Sequence, residues 1–233
     1  MQSDRLFAIL FAVLLANEIT AGFYRDFYEW WYWVSKPMLL GSILVYFVYQ
    51  ARNFPHPLRR WLLVGFFFSW MGDIFLMFQK DETYFLLGLA AFLLAHVAYI
   101  LAFRLWVYDN LEIPLLKRHP WMVFVLMLYG YGFFNILEPG LGQMKVPVIA
   151  YMAVILIMVI MALNRQKKVS RQGFFWVITG ALFFMLSDSI LAYNKFLESI
   201  AYSGVWIMLT YGVAQFSIMY GGLLELRRIG RGG

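Results

Sequence analysis

The sequence of residues 84–106 is YFLLGLAAFLLAHVAYILAFRLW, and this apolar stretch decides the fold class. A transmembrane helix needs about 20 consecutive, mostly apolar residues, because the hydrocarbon core is about 30 Å thick and each residue adds about 1.5 Å. Before Arg104, the only acidic, basic or histidine side chain in this stretch is His96. The stretch therefore predicts a helix that crosses a membrane.

Seven further apolar stretches precede or follow it at short intervals. Hydrophobic residues make up 63% and charged residues 14% of the 233 residues, whereas a soluble domain carries roughly 25% charged residues. We therefore expect an all-α polytopic membrane protein, with residues 1–233 as a single domain of eight transmembrane helices. The predicted spans lie near residues 6–24, 31–51, 61–78, 84–106, 121–137, 145–163, 173–194 and 201–224.

The basic residues indicate how these spans are oriented. Cytoplasmic loops of membrane proteins carry an excess of Lys and Arg. With the N-terminus inside, the inner connections hold most of the 19 Lys and Arg, among them Arg59, Arg60, Lys167 and Lys168. The pattern predicts an N-in, C-in topology and explains the net charge of +6 without a nucleic-acid partner. Short loops and the lack of a targeting tail favour a bacterial inner membrane.

An internal repeat is visible at an offset of 115 residues. Residues 72–78 (GDIFLMF) align with residues 187–193 (SDSILAY), and Gly65 aligns with Gly180. The offset maps the first four predicted spans onto the last four. Halves of four helices each would be parallel repeats, related by an axis along the membrane normal.

Polar side chains inside the predicted spans point to a site. An ionisable group in hydrocarbon is costly, so it faces the bundle interior in most membrane proteins and marks function. The rise per residue places these groups at overlapping heights, in the outer half of the membrane. This predicts a shared pocket that opens toward the outer leaflet. Its candidate residues are Glu18, Lys36, Ser69, Asp73, His96, Tyr99, Asp188, Asn194, Tyr211 and Gln215.

Asp73 and Asp188 are the residues around which chemistry is expected. Of two carboxyl groups in one apolar pocket, one can keep its proton and donate it while the other is charged, which makes an acid–base pair. The chain has no cysteine, which excludes thiolate nucleophiles and iron–sulfur clusters. We expect no metal ion. The structural alternative is that an aspartate pairs with Lys36 or His96 purely to hold the bundle together. For Glu18 and Lys36, the alternative is that the side chain snorkels to water near a helix end.

Several segments resemble the lysoplasmalogenase (YhhN-type) membrane protein family. They are Lys36-Pro37 and residues 68–76 (FSWMGDIFL), 88–99 (GLAAFLLAHVAY), 180–192 (GALFFMLSDSILA) and 210–215 (TYGVAQ). The resemblance implies hydrolysis of the vinyl ether bond of a lysoplasmalogen, a lysophospholipid. The expected products are a fatty aldehyde and glycerophosphoethanolamine or glycerophosphocholine, and no cofactor is expected.

Within this hypothesis the two aspartates share the chemistry. One protonates the vinyl ether, and the other stabilises the cation and orients water; the sequence does not assign which does which. Lys36 contacts the substrate phosphate or neutralises a carboxylate. The residues expected to orient the aspartates or the water are His96, Tyr99, Tyr211 and Gln215.

Two other functions fit part of the pattern. Buried carboxylates in a bundle built from repeats also occur in proton-coupled transporters. Against transport, Pro37 and Pro147 lie near helix starts, where proline is tolerated, and not at a central interruption. The second alternative is a non-catalytic protein that binds lipids.

Overall fold

Long α-helices account for almost all of the described chain. The computed structural model describes residues 2–78, 81–105 and 115–230. These residues contain no β-strand, and one short 3-10 helix spans Gly142–Met144. The α-helices are α1 Gln2–Phe23, α2 Glu29–Ala51, α3 Pro57–Leu76, α4 Glu82–Leu105, α5 Leu115–Arg118, α6 Trp121–Leu141, α7 Lys145–Leu163, α8 Arg171–Phe196 and α9 Ser203–Ile229.

Each of the eight predicted spans corresponds to one long helix, with ends that differ by a few residues. Residue 106, where the fourth predicted span ends, lies outside the described residues. The connection between the fifth and sixth predicted spans differs most, because α6 continues through Pro139 to Leu141. The predicted end of the fifth span at residue 137 was therefore too early, because Glu138, Pro139 and Gly140 belong to the helix. A proline near the end of a helix removes only one backbone hydrogen bond, which this helix tolerates.

Helix starts follow local capping chemistry. The imidazole Nδ1 of His56 accepts a hydrogen bond from the Leu58 amide at 3.2 Å, and Pro57 occupies the first position of α3. At α8, the Ser170 hydroxyl oxygen accepts from the Gly173 amide at 3.0 Å. Such caps satisfy amides that have no partner within the helix. They fix where these two helices begin.

The chain is an integral membrane protein. Five helical stretches are long and apolar enough to cross a membrane: Gln2–Phe23, Glu82–Arg104, Trp121–Leu163, Arg171–Phe196 and Ser203–Ile229. The third stretch comprises both α6 and α7. Helices α2 and α3 are 23 and 20 residues long but are not among these five stretches. The eight-span topology and its orientation therefore stay predictions.

Two helix pairs make the closest approaches, α3 with α4 and α8 with α9. A Cβ atom on Gly65 of α3 would lie 2.3 Å from the Tyr99 ring of α4. A Cβ atom on Gly180 of α8 would lie 2.8 Å from the Ala214 carbonyl oxygen of α9. Only glycine allows these contacts, because any other side chain would occupy the partner's space. Helix α9 also packs against α1, α2 and α3 and is thereby central to the bundle.

Candidate active site

A polar cavity of about 600 Å³ opens between α1, α2, α3, α8 and α9. Apolar side chains such as Ile19, Leu76 and Met208 form part of its wall. The remainder is unusually rich in charge for the interior of a membrane protein. Its charged lining residues are Glu18, Arg25, Lys36, Asp73, Asp188 and Lys195. The two aspartates singled out in the sequence therefore line one chamber.

Asp73 lies on α3 and is held by a residue from α9. Its side chain is 4% exposed, and its Oδ2 accepts a hydrogen bond of 2.9 Å from the Tyr211 hydroxyl. Lys36 is close enough for its ammonium charge to act on the Asp73 carboxyl group. A carboxyl group with a hydroxyl donor and a nearby cation is well placed to carry a negative charge.

Asp188 lies on α8 and meets residues from α4 and α7. The Tyr151 hydroxyl donates to its Oδ2 at 2.5 Å, and the His96 Nε2 lies 3.7 Å from the same oxygen. The Nδ1 of His96 donates to the Phe92 carbonyl oxygen at 2.6 Å, since a carbonyl can only accept. His96 is 1% exposed, and its Nε2 makes no hydrogen bond to any described residue. Its Nε2 is therefore directed toward Asp188.

Three of the predicted residues lie behind the cavity wall instead of on it. The Tyr99 hydroxyl donates to Oε1 of Gln215 at 2.8 Å and lies 3.4 Å from the Ser69 hydroxyl. All three side chains are buried and none lines the cavity. They tie α3, α4 and α9 together beneath Asp73 and Tyr211. His96 is likewise absent from the lining and reaches the site only through Asp188.

Glu18 and Lys36 belong to the cavity itself. Glu18 is 1% exposed, and its Oε2 has no hydrogen-bond partner among the described residues. The Lys36 ammonium donates to the Tyr32 hydroxyl at 2.9 Å, and its charge acts on Glu18 as well as on Asp73. Both side chains line this cavity between the helices. The two residues place opposite charges on the same wall.

Asn194 lines the cavity and also holds the backbone of the adjoining loop. Its Oδ1 accepts a hydrogen bond of 2.9 Å from the Ile200 amide. The loop then turns into α9 at Tyr202, which has a left-handed backbone with φ of 57°. Asn194 therefore has a clear structural role at this position.

A second, apolar groove meets the polar cavity at Asp188. The groove has a volume of about 60 Å³ and lies between α4, α6, α7 and α8. Tyr129 at its edge is 37% exposed, so the groove reaches the lipid-facing surface. The residues that line both chambers are Leu76, Phe92, Asp188 and Leu191. Asp188 is the single charged group at this junction.

Several residues of the site were missed in the sequence, among them Arg25, Tyr32, Tyr151 and Lys195. Tyr151 is the only side chain after Lys145 in α7 that can donate a hydrogen bond, and this isolation was a usable signal. Tyr32 and Arg25 gave no comparable signal, because an aromatic residue and an arginine near a helix end are typical of membrane interfaces. Within the described ranges, no group of three His, Asp or Glu side chains could hold a metal ion.

Comparisons with known proteins identify the family. A sequence model of the YhhN family matches residues 31–222. Human "Lysoplasmalogenase TMEM86A" is 34% identical over 170 residues, covering 70% of this chain and 65% of the human protein. Mouse "Lysoplasmalogenase TMEM86B" is 30% identical over 193 residues, covering 82% and 76%. "Lysoplasmalogenase" of Mycobacterium bovis is 28% identical over 197 residues, covering 80% and 69%.

The chain thus spans about two thirds of the length of the human and bovine relatives that it matches. No solved structure gives a significant match. The family match covers both aspartates, the polar cavity from Tyr32 to Tyr211 and most of the bundle. This chain is a member of the YhhN family.

Proposed function

We propose that the protein hydrolyses the vinyl ether bond of lysoplasmalogens. The observation that carries the proposal is the junction at Asp188 between a polar cavity and an apolar groove. A lysoplasmalogen has its vinyl ether at the boundary between a polar headgroup and a hydrocarbon tail. A lipid with its headgroup in the cavity and its tail in the groove would present that bond to Asp188. The names of the relatives support the same reaction.

The reaction requires one proton donor and one anion. Protonation of the β-carbon converts the vinyl ether into an oxocarbenium ion centred on the α-carbon. Water then adds to the α-carbon and loses a proton to a carboxylate, which restores the acid. The resulting hemiacetal breaks its carbon–oxygen bond to give a fatty aldehyde and a free glycerol hydroxyl. One water molecule is consumed, and no cofactor is needed.

The positions of the aspartates favour one division of roles. The β-carbon is the tail-side carbon of the double bond, so its proton donor should lie nearest the apolar groove. Asp188 occupies that place, with Tyr151 and His96 to orient its carboxyl group. Asp73 lies on the polar side with Lys36 nearby, and there its negative charge would stabilise the oxocarbenium ion and orient water.

The groove is too small for a whole acyl-length tail. Its volume of about 60 Å³ accepts only the first part of the chain. The rest of the tail would pass Tyr129 into the bilayer, where it keeps its apolar surroundings. A substrate that enters and leaves sideways through the lipid phase suits an enzyme with a membrane-embedded site.

We further propose eight spans with both termini inside, built as one domain from two parallel four-helix repeats in a bacterial inner membrane. The basic residues of the inner connections support the orientation. The close contacts of Gly65 with Tyr99 and of Gly180 with Ala214 support the repeat, because the offset of 115 residues relates both members of the two pairs.

Mass spectrometry of purified protein in detergent or nanodiscs tests the proposal. With a lysoplasmalogen, aldehyde and a glycerophospho-compound should appear together. The saturated ether analogue has no double bond to protonate and should stay intact. If the alkenyl lipid is not cleaved, or if both lipids are cleaved equally, vinyl ether hydrolysis is excluded.

Transport of a lipid or ion is the competing function. Helices α3 and α8, which carry the aspartates, are continuous, whereas many transporters place their sites on interrupted helices. Uptake into proteoliposomes without product formation would favour transport and contradict hydrolysis. A protein that only binds lipids would give neither aldehyde nor uptake.

A further inference from the structure

The wall of the polar cavity formed by Arg25, Tyr32 and Lys36 carries two positive charges on one aromatic ring. The Arg25 guanidinium stacks over the Tyr32 ring with its central carbon 4.5 Å from the ring centroid. The Lys36 ammonium lies on the hydroxyl side of the same ring and donates to that hydroxyl at 2.9 Å. All three residues line the cavity. Tyr32 is 6% exposed and fixes the positions of both cations.

These side chains leave hydrogen-bond donors directed at the cavity. The Tyr32 hydroxyl accepts from Lys36, so its own proton is available to a ligand. Arg25 uses one nitrogen, Nη2, to donate to the Met77 carbonyl oxygen at 3.0 Å. This bond anchors the guanidinium at the end of α3 and leaves its other N–H groups for a further acceptor. An arginine held in this way recognises phosphate oxygens well.

Of the two cations on this wall, Arg25 has the charge that is more available to a ligand. Lys36 faces the carboxyl groups of Glu18 and Asp73, and its charge is shared with them. For Arg25, by contrast, no carboxylate of the described residues lies within ion-pair distance. The described wall therefore has a cation whose charge a ligand can neutralise.

We propose that Arg25, Tyr32 and Lys36 bind the phosphate of the lysophospholipid headgroup. This inference rests on the proposed function for the identity of the lipid and adds a binding site to it. The phosphate of a lysoplasmalogen lies a few bonds from the vinyl ether, on the side opposite the tail. Phosphate at this wall would therefore direct the ether toward Asp73 and Asp188, and the tail toward the groove.

Equilibrium binding to the protein in nanodiscs tests the site without any turnover. The probes are a saturated 1-O-alkyl lysophospholipid, the corresponding 1-O-alkylglycerol without phosphate, and inorganic phosphate alone. Arg25→Gln should weaken binding of the lysophospholipid about tenfold, the value of a lost charge-assisted hydrogen bond, and should leave alkylglycerol binding unchanged. Tyr32→Phe keeps the ring under Arg25 and should also weaken only the phosphate-bearing lipid.

The matched control is Lys145→Gln. Lys145 pairs with Glu138 at the surface and lines neither the cavity nor the groove. Its loss should alter neither lipid's affinity. The phosphate site would be overturned if Arg25→Gln weakened the binding of both lipids equally. It would also be overturned if neither Arg25→Gln nor Tyr32→Phe weakened the binding of the lysophospholipid. Inorganic phosphate that binds as tightly as the lysophospholipid would show a free-anion site and overturn the headgroup assignment.

The outcome is separable from that of the proposed function. These probes contain no vinyl ether, so their binding does not depend on hydrolysis. If the wild-type protein releases no aldehyde from a lysoplasmalogen, hydrolysis fails while the binding result stands. If it releases aldehyde and Arg25→Gln binds both alkyl lipids normally, only the phosphate site fails.

Discussion

His96 and Tyr211 each contact the aspartate of the opposite half of the chain. The Nε2 of His96 lies 3.7 Å from Asp188, and the Tyr211 hydroxyl donates to Asp73 at 2.9 Å. The offset of 115 residues that relates Asp73 to Asp188 also relates His96 to Tyr211. Crossed contacts of this kind are expected from two parallel repeats related by a rotation about one axis.

The same offset relates the walls of the two chambers. Lys36 corresponds to Tyr151, and both act on the aspartate of their own half. Glu18 of the polar cavity corresponds to Phe133 of the apolar groove. Charged residues in the first half are thus replaced by aromatic ones in the second. Under the proposed repeat the two pockets would be equivalent in position, and their difference in polarity suits a ligand with one polar and one apolar end.

Replacement of either aspartate by asparagine should abolish aldehyde release. Asparagine keeps the shape of the side chain but can neither donate a proton to carbon nor carry a negative charge. We expect Asp73→Asn and Asp188→Asn each to lower turnover at least about 100-fold, as for loss of a general acid or base. Size-exclusion chromatography should show an unchanged elution volume. Asp26→Asn, in the exposed loop after α1, is the control and should keep full activity.

The two tyrosines that hold the aspartates should affect turnover more than substrate binding. Tyr151→Phe and Tyr211→Phe keep each ring but remove the hydroxyl that donates to a carboxyl group. Loss of a hydrogen bond to a carboxylate that carries charge in the transition state should lower kcat about tenfold, with KM nearly unchanged. Tyr129→Phe removes a hydroxyl whose hydrogen-bond partner in the described part of the chain is Ser189. An equal drop in Tyr129→Phe would contradict a positioning role for the other two.

The sequence was sufficient to predict the helices but not all of the site. Apolar stretches of spanning length located the eight long helices, because membrane burial imposes that length. The polar residues on opposite helices also indicated a shared pocket. Tyr151 was missed although its isolation in α7 was a signal, and Tyr32 was missed because an aromatic residue near a helix end is typical of a membrane interface. The direction in which each hydroxyl points depends on the rotation of its helix. The position of Tyr99 and Gln215 behind the cavity depends on the same rotations.

His56 should make stability depend on pH. Burial lowers the pKa of His56 below its usual value of 6.5, and the neutral ring caps α3 by accepting from Leu58. Because the unfolded chain binds the proton more readily, this stabilisation is complete above about pH 6.5 and is lost as the pH falls through the lower folded-state pKa. His56→Asn keeps a capping acceptor.

Thermal unfolding in detergent between about pH 5 and 8 measures this effect. The wild-type melting temperature should fall on the acidic side more than that of His56→Asn. His119→Asn serves as the matched control, since His119 caps no long helix in the described chain, and it should follow the wild type. Parallel pH profiles for wild type and His56→Asn would exclude the cap as the titrating element.

Narrowing the apolar groove should change chain-length preference. Gly130 of α6 lines the groove, and a Cβ atom there would lie 2.6 Å from the end of the Leu156 side chain. That side chain is flexible, so Gly130→Leu should fold with a filled groove. Turnover of a long-chain lysoplasmalogen should then fall about tenfold relative to that of a truncated analogue whose tail is too short to fill the groove, since one or two methylenes in an apolar site are worth that much.

Gly132 on the same helix supplies the control for this substitution. A Cβ atom at Gly132 would meet nothing within 4 Å, and the residue does not line the groove. Gly132→Leu adds the same side chain to the same helix and should keep the wild-type ratio of kcat/KM for long and short tails. If Gly130→Leu lowers both rates equally, or if Gly132→Leu shifts the ratio as much, the groove does not hold the tail and the lipid must enter the polar cavity by another path.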